Sequence, residues 1–277
     1  METIPHFSRS SFNTATEMLH PGLVFYRFMK IEDGDSKKSK FLSSLKEMAK
    51  TAVPFYDIFK SRLEKQHDEL RSTGVWEVKH FVATLTTRMA IGLGIPNQSE
   101  NGITLDQTHG MPLIPGSALK GVTQDYALLS GQMNKNDIDF KAIFGNGGDD
   151  DGRKGSVIFF DAIPILSSHT PPFDIDIMNP HFGDYYSNPD KVPPADYLKP
   201  NPIFFLTIKE GTPFYFSVAA RDVVIRDTDD FNHLLYKQTA NNLALSAAKI
   251  MQNSLSELGV GAKTRTGYGR FECGGIS

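Results

Sequence analysis

Near one end of this 277-residue chain, Gly259-Val-Gly-Ala-Lys-Thr-Arg-Thr-Gly-Tyr-Gly-Arg270 sets cations among glycines. Lys263 and Arg265 flank Thr264, with Gly261 and Gly267 outside them, then Gly259 and Gly269. Glycine lets a backbone take positive φ and come close to a ligand. A backbone bent in this way can aim successive N–H groups into one concavity, which suits an anion. With Lys, Arg and Thr hydroxyls alongside, the chemistry indicated is contact with phosphate, free or within a nucleic acid. The competing reading is a helix C-cap followed by a turn, because Gly259 ends a helical pattern. A cap needs one glycine, and this stretch supplies more.

A second anion candidate lies in Leu113-Ile-Pro-Gly-Ser-Ala-Leu-Lys-Gly121. Pro115, Gly116 and Ser117, followed by apolar Ala118, Leu119, Val122, Tyr126 and Leu129, read as a helix start, with Ser117 as the expected N-cap. Free N–H groups in that first turn, beside Lys120, would favour a phosphate. The glycine and lysine spacing of a P-loop is absent, and no Gly-x-Gly-x-x-Gly joins a strand to a helix. Other polar groups carry weaker signals. Glu100, Asp106 and His109 share one loop and would do acid–base work only if they converge. Asp149, Asp150 and Asp151 are adjacent, lack EF-hand spacing and read as a solvated loop. His181 and Tyr185, in Met178-Asn-Pro-His-Phe-Gly-Asp-Tyr-Tyr186, could stack a base or hold a partner. No metal site and no cofactor are expected.

The elements that must position these groups follow from periodicity. Residues 39–72 read as two helices broken at Pro54. A long strand is expected from Val75 through Ile91 to Gly92. The helix after Ser117 is followed by the Asp149–Asp151 loop and one strand, Ser156–Ile165. Ile203–Lys209 and Pro213–Arg221, joined by Glu210-Gly211-Thr212, read as a hairpin. Asp227–Asp230 should cap a helix that carries Phe231, Leu234 and Leu235 and runs into the glycine loop. Tyr268–Glu272 closes the pattern as a strand. The succession fits two small α+β units with helices on one face of antiparallel sheets.

The chain carries 29 Lys and Arg against 32 Asp and Glu, a formal net charge of -3. It is no polycation, so any nucleic-acid contact must come from a local patch. The single cysteine, Cys273, excludes an internal disulfide and a cysteine-based zinc site. A cytoplasmic protein is expected: Met1-Glu-Thr-Ile-Pro opens no signal peptide, and no apolar run is long enough for a membrane.

Three stretches together resemble a known family. Ile114-Pro-Gly-Ser-Ala-Leu-Lys-Gly121, Gly155-Ser-Val-Ile-Phe-Phe-Asp-Ala-Ile-Pro164 and Gly259–Gly269 are similar to the motifs of the RAMP superfamily of CRISPR proteins. Asn179-Pro-His-Phe-Gly-Asp-Tyr-Tyr186, with Pro193-Pro-Ala-Asp-Tyr197 and Pro202-Ile-Phe-Phe-Leu206, resembles the family of sixth subunits of the type III-B, or Cmr, effector complexes. The resemblance covers roughly residues 75–273. It implies two ferredoxin-like, RRM-related domains with antiparallel sheets, expected at 75–200 and 201–277 after an N-terminal helical extension at 1–74. It also implies a non-catalytic backbone subunit that holds the 3′ part of a guide CRISPR RNA. Sibling Cmr-type subunits would be its protein partners, and a target RNA would pair with the guide. Carried onto this sequence, Ser117 and Lys120 at the helix start would grip guide phosphates. Gly261, Lys263, Thr264, Arg265 and Gly267 would do so from the loop, with Arg88 a further candidate. Target-cleaving siblings carry an aspartate in the loop before Ile-Pro-Gly-Ser; near that place this chain has Glu100. Two rivals stay open. An endoribonuclease would use Glu100, Asp106, His109 or His181, and a small-molecule nucleotide-binding protein would use the glycine loop.

Overall fold

Alternation of apolar and polar residues builds the centre. In the strand Trp76–Leu85, Val78, Phe81, Ala83 and Leu85 are buried. The computed structural model describes residues 20–27, 35–97, 100–146, 154–166, 172–179, 190–191, 202–226 and 234–277. Along these, the elements are α1 (Pro21–Tyr26), α2 (Asp35–Ser72), β1 (Trp76–Leu85), α3 (Gly116–Leu129) and α4 (Ile138–Phe144). Then come β2 (Val157–Phe159), β3 (Ile163–Pro164), β4 (Phe173–Met178), β5 (Ile203–Ile208) and β6 (Pro213–Arg221). The last are β7 (Val223–Arg226), β8 (Leu234–Gln238), α5 (Ala240–Glu257), a 3-10 turn at Thr264–Thr266, and β9 (Phe271–Cys273).

One antiparallel sheet runs in the order β2-β6-β1-β9, with β3 also on β6. Helix α5 packs across it with Leu243, Ala244, Ala247, Met251 and Leu255 buried, and α3 packs beside α5. Each such leucine contributes about 2 kcal/mol on burial. The succession β1-α3-β2-β6-α5-β9 within one sheet is the β-α-β-β-α-β arrangement of ferredoxin-like folds. Strands β1, β2 and β3 of this sheet precede residue 200, and β6 and β9 follow it. A separate pair, β4 with β5, lies against α2, and β7 pairs with β8.

Several sequence expectations are corrected. Helix α2 passes through Pro54 without interruption. Proline withholds one N–H and crowds the carbonyl four residues back, which ordinarily ends or kinks a helix. Here buried anchors lie on both sides of it: Leu42, Leu45 and Ala49 before, Tyr56 and His67 after. Strand β1 stops at Leu85; beyond it only Met89 and Ala90 make isolated bridges, to Ile208 and Ala262. The strand expected at 156–165 is two, because the chain leaves the ladder between Phe159 and Ile163. The expected hairpin partners separate: β5 joins β4 while β6 joins the central sheet. Leu234 begins strand β8, and α5 starts only after Thr239, whose hydroxyl accepts from the Asn242 N–H at 3.3 Å. The proposed cap at Asp227–Asp230 lies outside the described residues. So do His181, Tyr185 and Asp149–Asp151.

Candidate nucleic-acid interface

The glycine loop is built by its own backbone. Gly259, Gly261, Gly267 and Gly269 all take positive φ, as does Lys263 at 59°. A Cβ on Gly261 would lie 2.4 Å from the Ala90 carbonyl oxygen, and one on Gly269 2.1 Å from that of Val260. The Val260 N–H donates to Gly269 O at 2.9 Å, Ala262 N–H to Ala90 O at 2.6 Å, and Gly269 N–H to Arg88 O at 2.9 Å. These glycines therefore permit close packing of the loop on itself and on residues 88–90. The expected nest of free N–H groups is largely spent on the protein's own carbonyls. Gly267 differs: a Cβ there would meet nothing within 4 Å, so it faces open space.

The side chains of the loop divide into bound and free. Tyr268 donates to Asp176 Oδ2 at 2.7 Å, and Arg88 pairs with Asp174 and Asp176, each at 3.1 Å. Burial alone would raise the Asp176 carboxyl, but the Tyr268 hydroxyl, the Ile177 amide and Arg88 outweigh it and hold the group below its usual value. Burial and the Asp176 bond push the Tyr268 phenol up to about 12. Arg88 is thus committed to tying β4 to the loop. Arg270 donates to the carbonyls of Ser256 and Glu257 and closes the C-terminal end of α5. The Lys263 ammonium lies 5.9 Å from the centre of the Phe205 ring. Arg265 is exposed and makes no ion pair among the described residues.

A cleft of about 760 Å³ brings the two anion candidates together. Pro115, Ala118 and Gly121 of the α3 region form one wall, and Gly261, Thr264 and Arg265 form another. Arg265 and Arg270 supply its positive charge; Asp125 and Glu257 also line it. Ser117 is not the N-cap. Pro115 holds that position without a side-chain bond, and α3 begins at Gly116. The Gly116 N–H donates to Asp161 Oδ1 at 2.7 Å, so a carboxylate of this chain already sits at the helix start. A Cβ on Gly116 would lie 2.1 Å from Phe159 O, which fixes glycine there. Ser117 is exposed and Lys120 half-exposed on the same turn, and neither lines the cleft.

The RAMP superfamily model matches residues 82–272, a span that includes both walls of the cleft. The chain is 30% identical to the CRISPR system Cmr subunit Cmr6 of Pyrococcus furiosus, over 78% of this chain and 73% of that protein. The chain belongs to the RAMP superfamily, and within it to the Cmr6 family. It is also 25% identical to the CMR subunit Cmr6 of Saccharolobus solfataricus, over 88% of this chain and 74% of that one. Its fold is similar to a chain in the cryo-EM structure of the Type III-B Cmr-beta bound to cognate target RNA. The TM-score is 0.59 at 22% identity, over 98% of this chain and 87% of that chain.

Elsewhere in this Cmr6-family chain, two of the acid–base candidates meet. Asp106 Oδ2 lies 2.6 Å from His109 Nδ1 and accepts the His109 backbone N–H at 2.7 Å. The imidazole packs against the rings of Tyr56 and Phe59. The pair clips its loop to α2. Glu100, at φ 72°, pairs instead with Lys38 at 2.8 Å. Neither pair lines the cleft. Sequence reasoning passed over Asp161, although one carboxylate inside the apolar run Val157–Ile163 was a signal. It also passed over His67, which is 1% exposed on α2, 3.2 Å from Ser217 Oγ and 3.4 Å from the Tyr215 hydroxyl. Burial first, then Arg71 and His80, lower its pKa to about 4. A lone histidine in a helical pattern carries no sign of what it will pack against.

Proposed function

We propose that this chain is a structural subunit of a type III-B CRISPR effector that binds the 3′ part of a guide RNA by its phosphates. The observation that carries the reading is the meeting of the Ile-Pro-Gly-Ser helix start and the glycine loop on one cleft, where Arg265 is exposed and makes no ion pair among the described residues. Its Cmr6 relatives are named as Cmr subunits, and its fold neighbour comes from a Cmr complex bound to target RNA. Cations on phosphates fix a strand without reading it. The guide's base edges then remain free to pair with a target. Lys263, Thr264 and Arg265 take the phosphates from the loop side, and Lys120 does so from the turn after Gly116. The subunit performs no reaction of its own, works in the cytoplasm and contacts sibling subunits. A second reading, RNA cleavage, has the Asp106–His109 pair in its favour. His109→Ala with cleavage by the assembled complex intact would remove it.

The test is a salt titration of RNA binding by Lys263→Ala/Arg265→Ala. Affinity should fall for every RNA sequence, and the slope of log K against log salt should shrink by about 1.4, two phosphate contacts on a single strand. An unchanged slope would reduce the loop to a helix cap.

A further inference from the structure

A second cleft, of about 590 Å³, lies between α4, the start of β2 and the junction of β6 with β7. Among the described residues its charged lining groups are Lys141, Lys154 and Arg221, with no carboxylate among them. That is unusual for a chain with a net charge of -3. The glycine-loop cleft, by contrast, also holds Asp125 and Glu257. The two linings share no residue. Lys154 and Arg221 are exposed, and none of the three cations makes an ion pair among the described residues.

Three carboxylates near these segments, among the described residues, are engaged elsewhere. Asp139 accepts the Tyr236 hydroxyl, Asp137 accepts the Asn134 N–H at 2.6 Å, and Asp222 accepts the Ala240 N–H at 2.7 Å. Backbone bonds hold the three segments together. Lys154 bridges Gly145, the Ser156 N–H donates to Ala142 O at 2.8 Å, and the Arg221 N–H donates to Ser156 O at 3.3 Å. The cations are therefore presented by a fixed frame. The floor is aliphatic, from Ile138, Val223 and half-exposed Val224, and Asn136 and Ser156 add hydrogen-bonding groups. Trp76, the sole tryptophan, is half-buried and stands directly opposite Arg221 in the β1–β6 register. Opposed residues share a sheet face, so Trp76 neighbours Arg221 on the sheet, outside the lining of the cleft.

Cations around aliphatic side chains, with amide and hydroxyl groups beside them, match the parts of a nucleotide chain: phosphates for the cations, and sugar and base edges for the rest. A volume of several hundred cubic ångströms suits a group of nucleotide size. We infer that Lys141, Lys154 and Arg221 form a second contact for single-stranded RNA, separate from the glycine-loop cleft. The inference rests on the RNA-binding reading above, and the variants below keep the two failures apart. Residues 147–153, which join Asn146 to Lys154, carry Asp149, Asp150 and Asp151, so that segment is held unchanged in every variant.

The experiment photo-crosslinks 4-thiouridine-substituted single-stranded RNA to the full chain and maps the attached peptides by mass spectrometry. Crosslinks are expected within residues 136–146, 154–156 and 221–224, and they persist in Lys263→Ala/Arg265→Ala. Lys141→Ala/Lys154→Ala/Arg221→Ala should lose them and lower the salt slope by about 2. If that variant fails to fold, Lys154→Gln alone, at an exposed position, should still weaken those crosslinks, and Arg221→Lys should retain them. In the assembled complex, labelling the guide and the target in turn identifies which strand occupies the cleft. Crosslinks absent from these peptides, or a triple variant that binds and crosslinks like the parent, would overturn the inference.

Discussion

The Gly116 amide donates to Asp161 Oδ1 at 2.7 Å, joining the Ile-Pro-Gly-Ser stretch to the Phe-Phe-Asp-Ala stretch. The bridge of Ile114 with Ala162 lies beside it. A helix start carries partial positive charge, and a carboxylate there satisfies a donor that would otherwise be stranded. Asp161→Ala leaves the buried Gly116 N–H unpaired and should cost about 1–2 kcal/mol. In urea denaturation the midpoint should fall with the slope unchanged. An unshifted midpoint would mean that water replaces the carboxylate at no cost.

The loop glycines should not respond alike to alanine. Gly261 combines φ 100° with a Cβ position 2.4 Å from Ala90 O, so Gly261→Ala requires the backbone to move. Gly267 combines φ 97° with open space. Left-handed strain alone costs about 1–2 kcal/mol. Gly267→Ala should therefore lower Tm modestly, and Gly261→Ala should lower it by clearly more. Equal losses would contradict the packing role assigned to Gly261.

Stability should weaken in mild acid through His67. Its pKa is about 4 in the folded chain against an ordinary value near 6.5, so between these values the unfolded chain binds the proton and the folded chain does not. The contribution is complete above pH 6.5 and is lost as the pH falls toward 4. The gap corresponds to roughly 3 kcal/mol at most. Unfolding free energy measured at pH 7.5 and pH 5 should differ less in His67→Gln than in the parent. The same pH dependence in both would clear His67 of the effect.

Much of the site was legible as pattern. The cations of the glycine loop, the helix after Pro115 and the stripe Leu243–Leu255 all follow from local spacing, and each appears as an element in the structure. The roles inside those patterns were less legible. By spacing the glycines offer access for a ligand, yet Gly261 and Gly269 accommodate neighbouring carbonyls. Ser117 reads as a cap because it has the right chemistry, two residues from the N-cap position that Pro115 holds. A carboxylate from the segment between β2 and β3 takes that task; Asp161 stands out inside its apolar run, but no local rule pairs it with Gly116. Pro54 reads locally as a helix break, since local propensity cannot weigh the burial of Tyr56 and Ala49 on either side of it.

By itself the sequence determined the local preferences, the positions of the loop cations and the family motifs, because these depend on residue type and near neighbours along the chain. Tertiary structure decided which strands pair, and so drew β6 away from β5 to lie between β1 and β2. It also decided that Arg88 is bound to Asp174 and Asp176 while Arg265 is left exposed. It gathered Lys141, Lys154 and Arg221 from three segments around one cleft. The physical reason is that hydrophobic burial is non-directional and sums over the whole chain. It selects the global arrangement, and only then are polar groups far apart in sequence placed within hydrogen-bond reach.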